Sequence, residues 1–191
     1  TLFDLLKAAV RQRPDYIIVG EVRGEEAYTL FQAMATGHLG MCTIHAESVE
    51  AAINRLESEP MNIPRSLLTM IDIILIQGRT EIDGKPARRA FSATEMVGAD
   101  PKTRELLTND VYRWSKGTDS FSYLGRSYVL ERIIKKTNLT AQDVQAELQR
   151  RKTVLEWMVK NNIRRYTDVA NIIREYYADP MRVYHKAKVG V

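Results

Sequence analysis

The sequence predicts an α/β protein. A mostly parallel sheet carries antiparallel strands at its edge and is followed by a helical C-terminal region. Three observations predict this. Short apolar runs alternate with helical patterns up to Gln77, the rhythm of a parallel α/β sheet. Strand-like segments separated by turn signals then occupy 87–124, as antiparallel strands do. From Ser127 onward apolar residues recur at helical spacing.

Each element has a local cause. Apolar residues at 2, 5, 6, 9 and 10 lie on one helical face over Leu2 to Gln12, and Pro14 ends that helix. Tyr16 to Gly20 is a strand apolar on both faces, as inside a parallel sheet. Gly24 to Thr36 reads as a helix that turns Ala27, Leu30, Phe31 and Met34 inward, with Gly37 as its C-cap. Leu39 to His45 is a second buried strand, and Ser48 caps a helix over Val49 to Glu57. The linker SEPMNIP leads to a short helix at Arg65 to Met70 and a third strand of the parallel sheet at Ile71 to Gln77. Ala87–Val97, Glu105–Trp114 and Ser120–Leu124 are the antiparallel strands, divided by DGKP, GADPKT and SKGTD. Helices follow over 127–137, 141–161 (capped by Thr140) and 167–178, with Val144, Leu148, Leu155 and Val159 as one apolar stripe. The chain thus divides into residues 1–125 and a helical region, 126–191.

Composition narrows the class. Apolar content of 45% and charged content of 27% suit a globular domain. No apolar run approaches the roughly 18 residues of a membrane span. The chain opens on Thr1 without the pattern of a signal peptide and reads as an internal fragment. The lone Cys42 excludes an intrachain disulfide and reads as a small core residue. Charge is uneven. Residues 1–125 hold 14 Lys+Arg against 17 Asp+Glu, a net of −3, and 126–191 hold 14 against 7, a net of +7. Those basic helices suit nucleic acid, anionic lipid or an acidic partner, or are a solvated surface.

The chemistry concentrates at Asp15 to Ala27, DYIIVGEVRGEEA. Parallel sheets present functional groups at the carboxyl ends of their strands. Glu21 ends the first strand and His45 the second, and one helix joins them. A carboxylate there can hold Mg²⁺ through water or orient an attacking water for phosphoryl transfer. A histidine there can donate to a phosphate oxygen. The alternative for Glu21 is a helix-end carboxylate favoured by the dipole. Arg23 either neutralises charge or pairs with Glu25 or Glu26. His38, Cys42 and His45 do not make a metal site, because the odd separation of Cys42 and His45 sends them to opposite faces of a strand. No GxxxxGK[ST] phosphate loop is present. The nearest segment, GRTEIDGKP from Gly78, has five residues between its glycines and Pro86 where Ser or Thr belongs. It reads as a β-turn.

RQRPDYIIVGEVRGEEA and ATGHLGMCTIHAESVEAAINRL together resemble the second half of the motor ATPases of type II and type IV secretion systems. That superfamily drives secretion pseudopili, type IV pili, the archaellum and some conjugation machines. EPMNIPRSLLTMIDIILIQ is similar to its archaeal branch. The resemblance is dense from Arg11 to about Gln77 and covers order and type of element beyond.

It implies part of a RecA-like P-loop ATPase. Ile17-Ile18-Val19-Gly20-Glu21 matches the atypical Walker B motif, with Gly20 where many nucleotidases carry a metal-binding aspartate and Glu21 near Mg²⁺ and the attacking water. Arg23 matches the arginine after that motif. Gly37-His38 through Thr43-Ile44-His45 matches the histidine box, which couples the γ-phosphate state to subunit movement. The implied cofactors are ATP and Mg²⁺ in the intact parent. The implied partners are its own copies in a hexameric ring and a membrane-embedded platform protein, with no nucleic acid, at the cytoplasmic face of the membrane. The family's phosphate loop, acidic box and arginine fingers would precede Thr1, and the four-cysteine metal module of some members is absent. The chain alone is therefore expected to bind ATP weakly or not at all. The competing expectation is a non-enzymatic basic module whose helices hold nucleic acid or a partner protein.

Overall fold

A computed structural model describes residues 1–190. The chain divides into two compact units, Thr1–Val129 and a second beginning at Leu130.

In the first unit, α1 (Leu2–Arg11) opens on a capping box in which Thr1 and Asp4 satisfy one another's backbone N–H groups. β1 (Tyr16–Val19) and β2 (Leu39–Cys42) pair in parallel, with Tyr16 beside Leu39 and Val19 beside Cys42. The crossover between them is α2 (Glu26–Ala35). Gly37 turns the chain out of α2 at φ +103°, which favours glycine. β2 then lies close on α2: a Cβ at Gly40 would come within 2.5 Å of Met34 Sδ. Ser48 caps α3 (Val49–Glu57) by accepting from Ala51 N, and α4 (Arg65–Leu68) follows.

One core joins these pieces. Ile17 and Val19 of β1, Val22, and Ala27, Leu30, Phe31 and Ala33 of α2 pack with Leu6, Leu56, Met61, Ile63 and Leu68. Burying each large member contributes roughly 1.5–3 kcal/mol. The segment before α2 is thereby fixed: Val22, just after Glu21, is among the most buried side chains.

The remaining strands form a second sheet. β3 (Ile73–Ile82), β4 (Lys85–Ala99), β5 (Leu106–Ser115) and β6 (Ser120–Tyr123) run antiparallel in that order. The third strand expected in the parallel sheet is β3, and its ladder is instead to β4, from Ile73 beside Glu95 to Ile82 beside Lys85. Its residues alternate between exposed and half-buried, the period-two pattern of a strand with one solvated face. The antiparallel strands therefore make their own sheet and do not extend the edge of the first. Phe91 of β4 stacks on Trp114 of β5 with centroids 5.5 Å apart, directly over Gly78.

Three other expectations are corrected. β1 is buried on one face only: Ile17 and Val19 lie in the core with α2, whereas Ile18 is 73% exposed and Tyr16 is exposed too. The second strand is not buried and ends at Cys42, short of His45, with Leu39 and Met41 exposed. Cys42 is exposed and not a core residue.

Glu95 is the notable buried polar group of this unit. It is 3% exposed on β4 and accepts from Ser127 Oγ at 2.5 Å, Tyr128 N at 2.7 Å and Val129 N at 3.3 Å. It thus satisfies the free backbone donors at the start of α5 (Tyr128–Lys136).

The second unit contains α6 (Ala141–Lys160), α7 (Tyr166–Ala178) and α8 (Pro180–Val189). Thr140 and Asp143 form the capping box of α6. The core comprises Val154, Trp157 and Met158 of α6, Tyr176 of α7, and Val183 and Ala187 of α8. The expected stripe of α6 is corrected. Val144 is buried, but Leu148, Leu155 and Val159 are exposed, because α7 and α8 pack on the face that carries Trp157. The fourth helix, α8, was not anticipated, although Asp179 as N-cap and Pro180 at its first position are its signature.

Candidate functional site at the carboxyl edge of the parallel strands

β1 ends at Val19 and β2 at Cys42, so both release the chain at the same edge. Two contacts carry their pairing beyond the strands. Val22 N donates to Thr43 O at 3.0 Å, and Thr43 Oγ1 donates to Gly20 O at 2.5 Å. Gly20 and Glu21 are thus held against Thr43. A Cβ at Gly20 would meet no atom within 4 Å, so the edge is open beside it.

Glu21 has a distinct partner for each oxygen. Arg23 Nη2 donates to Oε2 at 2.5 Å. Oε1 lies 3.1 Å from His45 Nε2, within ion-pair distance, yet that oxygen is buried with no hydrogen-bond donor aligned on it. The side chain keeps 25% of its surface exposed. The Arg23 hydrogen bond holds the Glu21 carboxyl below the usual carboxylate range, assisted by the charges of Arg23, His45 and Arg55. Arg23 pairs with Glu21 and with neither Glu25 nor Glu26 through its side chain. Glu26 instead accepts from the backbone N–H of Arg23 at 2.6 Å and of Gly24 at 3.0 Å, which orders the turn into α2.

His45 lies beyond the end of β2, in the loop before α3. Arg55 Nη1 of α3 donates to its carbonyl oxygen at 3.0 Å. His38 is elsewhere. It precedes Leu39 at the amino end of β2, with its Nδ1 3.2 Å from Ala33 O, in a hollow lined by Arg13, Asp15, Thr36 and Gly37. The structure therefore gathers Gly20, Glu21, Arg23 and His45 at one edge and leaves His38 at the other end of the strand. Thr43 and Arg55 also belong to the cluster, through Gly20 O and His45 O. Thr43 lies in the segment GHLGMCTIH, and Arg55 carries no signal beyond its place on a helix. Among the described residues, no group of three or more His, Cys, Asp and Glu side chains is placed to hold a metal ion.

An ionised carboxylate beside an imidazole and two guanidinium groups at a sheet edge can accept a proton from water or hold it in line, provided the His45 ring moves off the buried Oε1. A profile of the Type II/IV secretion system protein family matches residues 1–176. The chain belongs to that family. An uncharacterised protein of Methanocaldococcus jannaschii is 45% identical over 186 residues, 97% of this chain and 67% of the relative. Type II secretion system protein E of Pectobacterium carotovorum subsp. carotovorum is 36% identical over 110 residues, 56% of this chain and 22% of that protein. Conjugal transfer protein TrbB of Rhizobium radiobacter is 54% identical over 110 residues, 57% of this chain and 30% of that protein. The chain spans 67% of the first of these and 33% of another Methanocaldococcus jannaschii protein that is 40% identical. As a family member it is α/β with one parallel and one antiparallel sheet. Among the described residues, no helix is long and apolar enough to cross a membrane.

Proposed function

We propose that the edge formed by Gly20, Glu21, Arg23 and His45 is the water-activating part of an ATP-hydrolysing centre in a motor that powers type II/IV-type secretion, pilus or archaellum assembly. The observation that carries this is the approach of Glu21 Oε1 to His45 Nε2 at 3.1 Å, made by the two parallel strand ends. Family membership supports it. In this reading residues 1–125 are part of a RecA-like ATPase core, and 126–191 are the helical subdomain.

The residues fit Mg-ATP in part. Glu21 is ionised and has an oxygen without an aligned donor, and the space beside Gly20 is open. Glu21 suits a metal-held or attacking water, not a direct metal cage, since no further carboxylate joins it. The phosphate-binding half is not met, because the chain contains no GxxxxGK[ST] segment. Hydrolysis therefore needs a phosphate loop supplied from outside these residues, and the chain alone is inactive.

When bound, Mg-ATP supplies the γ-phosphate and the charge that draws water towards it. Glu21 would orient that water through Oε1 once the His45 ring has moved off this oxygen, which is buried against it in the structure. Arg23 keeps Glu21 ionised and aimed by occupying Oε2. His45 would be the residue to donate from Nε2 towards a phosphate oxygen, and without the phosphate it rests against Glu21. His38 enters only as an anchor of the turn between α2 and β2.

The partners that follow are further copies in a hexameric ring and a membrane-embedded platform protein at the cytoplasmic face. The relatives named for type II secretion and conjugal transfer favour this setting, and the two Methanocaldococcus jannaschii relatives favour the archaeal branch. The test is phosphate release from Mg-ATP by a chain that joins these residues to a phosphate loop. Release that depends on Mg²⁺ supports the reading. ATP bound without release contradicts it. Binding of single- or double-stranded nucleic acid by this chain, falling steeply with salt, would favour the basic-module alternative.

A further inference from the structure

His45 sits in a loop of no regular structure, yet its imidazole approaches one particular oxygen of Glu21. Something must fix that loop. On its β2 side, Thr43 is held by Gly20 O and Val22 N. On its α3 side, Ser48 is held by its cap to Ala51. Between these anchors, Arg55 Nη1 donates to the main-chain carbonyl of His45 at 3.0 Å. Arg55 projects from a helix fixed in turn by the burial of Val49, Ala52 and Leu56. A guanidinium reaching from a rigid helix to a carbonyl ten residues back is a brace.

We propose that Arg55 is a positioning residue: it holds the main chain at His45 so that the imidazole meets Glu21. A shorter or uncharged side chain leaves the carbonyl without that donor, and lysine lacks the planar fork that fixes direction. The loop then samples other paths, and the imidazole loses its register with Glu21. The functional consequence rests on the hydrolytic reading of Glu21. The geometric consequence does not.

The test therefore has two arms. In this chain, the nuclear Overhauser contact between the Glu21 side chain and the His45 ring is measured by NMR for the unmutated protein, Arg55→Lys and Arg55→Met. The circular dichroism of each reports the fold. The contact weakens in Arg55→Lys and is lost in Arg55→Met, with helix content kept. In a chain that also carries a phosphate loop, Arg55→Met lowers kcat by about ten- to a hundredfold. The double variant His45→Ala, Arg55→Met then turns over no more slowly than His45→Ala alone, because one acts through the other. An unchanged contact in Arg55→Met overturns the proposal, as does a double variant whose losses multiply. If the unmutated chain with its phosphate loop releases no phosphate, the hydrolytic reading fails, and the NMR contact alone decides whether Arg55 positions His45.

Discussion

Arg23 Nη2 donates to Glu21 Oε2 at 2.5 Å while the other Glu21 oxygen faces His45. The arginine two residues after the carboxylate thus occupies one oxygen, and the second is buried against His45. It also holds the Glu21 carboxyl below its ordinary range. Because that value is depressed on folding, the pair stabilises the protein above the ordinary carboxylate pKa. The contribution is lost as pH falls through the depressed folded value. Arg23→Met should return the Glu21 titration towards the ordinary range and flatten the acid limb of stability. A ¹³C NMR titration of the Glu21 carboxyl checks this, and an unchanged titration would remove Arg23 from the account.

The two histidines should separate in function as they do in space. His45→Ala should lower turnover of a phosphate-loop-containing chain by about a hundredfold, whereas His38→Ala should leave turnover within a few-fold. Side-by-side kcat and KM values decide it. Equal losses would mean that the two ends of β2 act together.

Glu95 should matter for stability without touching the candidate site. Glu95→Ala removes the acceptor that Ser127 Oγ, Tyr128 N and Val129 N share. The cost should be about 2 kcal/mol, the upper value for a lost helix cap, because Tyr128 and Val129 are only half-buried. Urea unfolding measures the total, and hydrogen exchange at Tyr128 and Val129 locates it. Exchange there should accelerate first.

Asp119 should set part of the acid response. Arg89 grips it with two hydrogen bonds, of 2.7 and 2.6 Å, and Trp114 Nε1 adds a third at 2.9 Å. The Arg89 hydrogen bonds, then the Trp114 one, lower its pKa from 3.8 to about 2. Stability from this cluster is complete above pH 3.8 and lost as pH falls towards 2, since the folded value lies below the unfolded one. Asp119→Asn should remove that slope. Thermal melts across the same interval, compared with the unmutated chain, check it.

Much of this was legible in the sequence, for local reasons. The caps at Ser48 and Thr140 name their helices because a side-chain oxygen three residues before a backbone N–H is a short-range event. Glu21 and His45 were legible together because both follow apolar strands joined by one helix. The place of β3 was not, since the run IDIILIQ suits a strand buried on two faces as well as one that alternates. The buried face of α6 is hidden for a related reason: the aliphatic stripe and Trp157 both recur at helical spacing, and Trp157 decides the packing. Glu95 gave no sign, because a glutamate within a strand reads as surface until Ser127 and the first residues of α5 are placed. Arg55 was invisible because its contact depends on the path of an irregular loop.

The measurement that tests the central claim most directly is steady-state Mg-ATP hydrolysis by a chain that includes both these residues and a phosphate loop, with Glu21 intact and with Glu21→Gln. Glutamine keeps the shape and the hydrogen bond from Arg23 but cannot take a proton. The account predicts a fall in turnover on the order of a hundredfold or more, with ATP binding retained. Unchanged turnover would contradict it and return Glu21 to the role of a paired surface carboxylate.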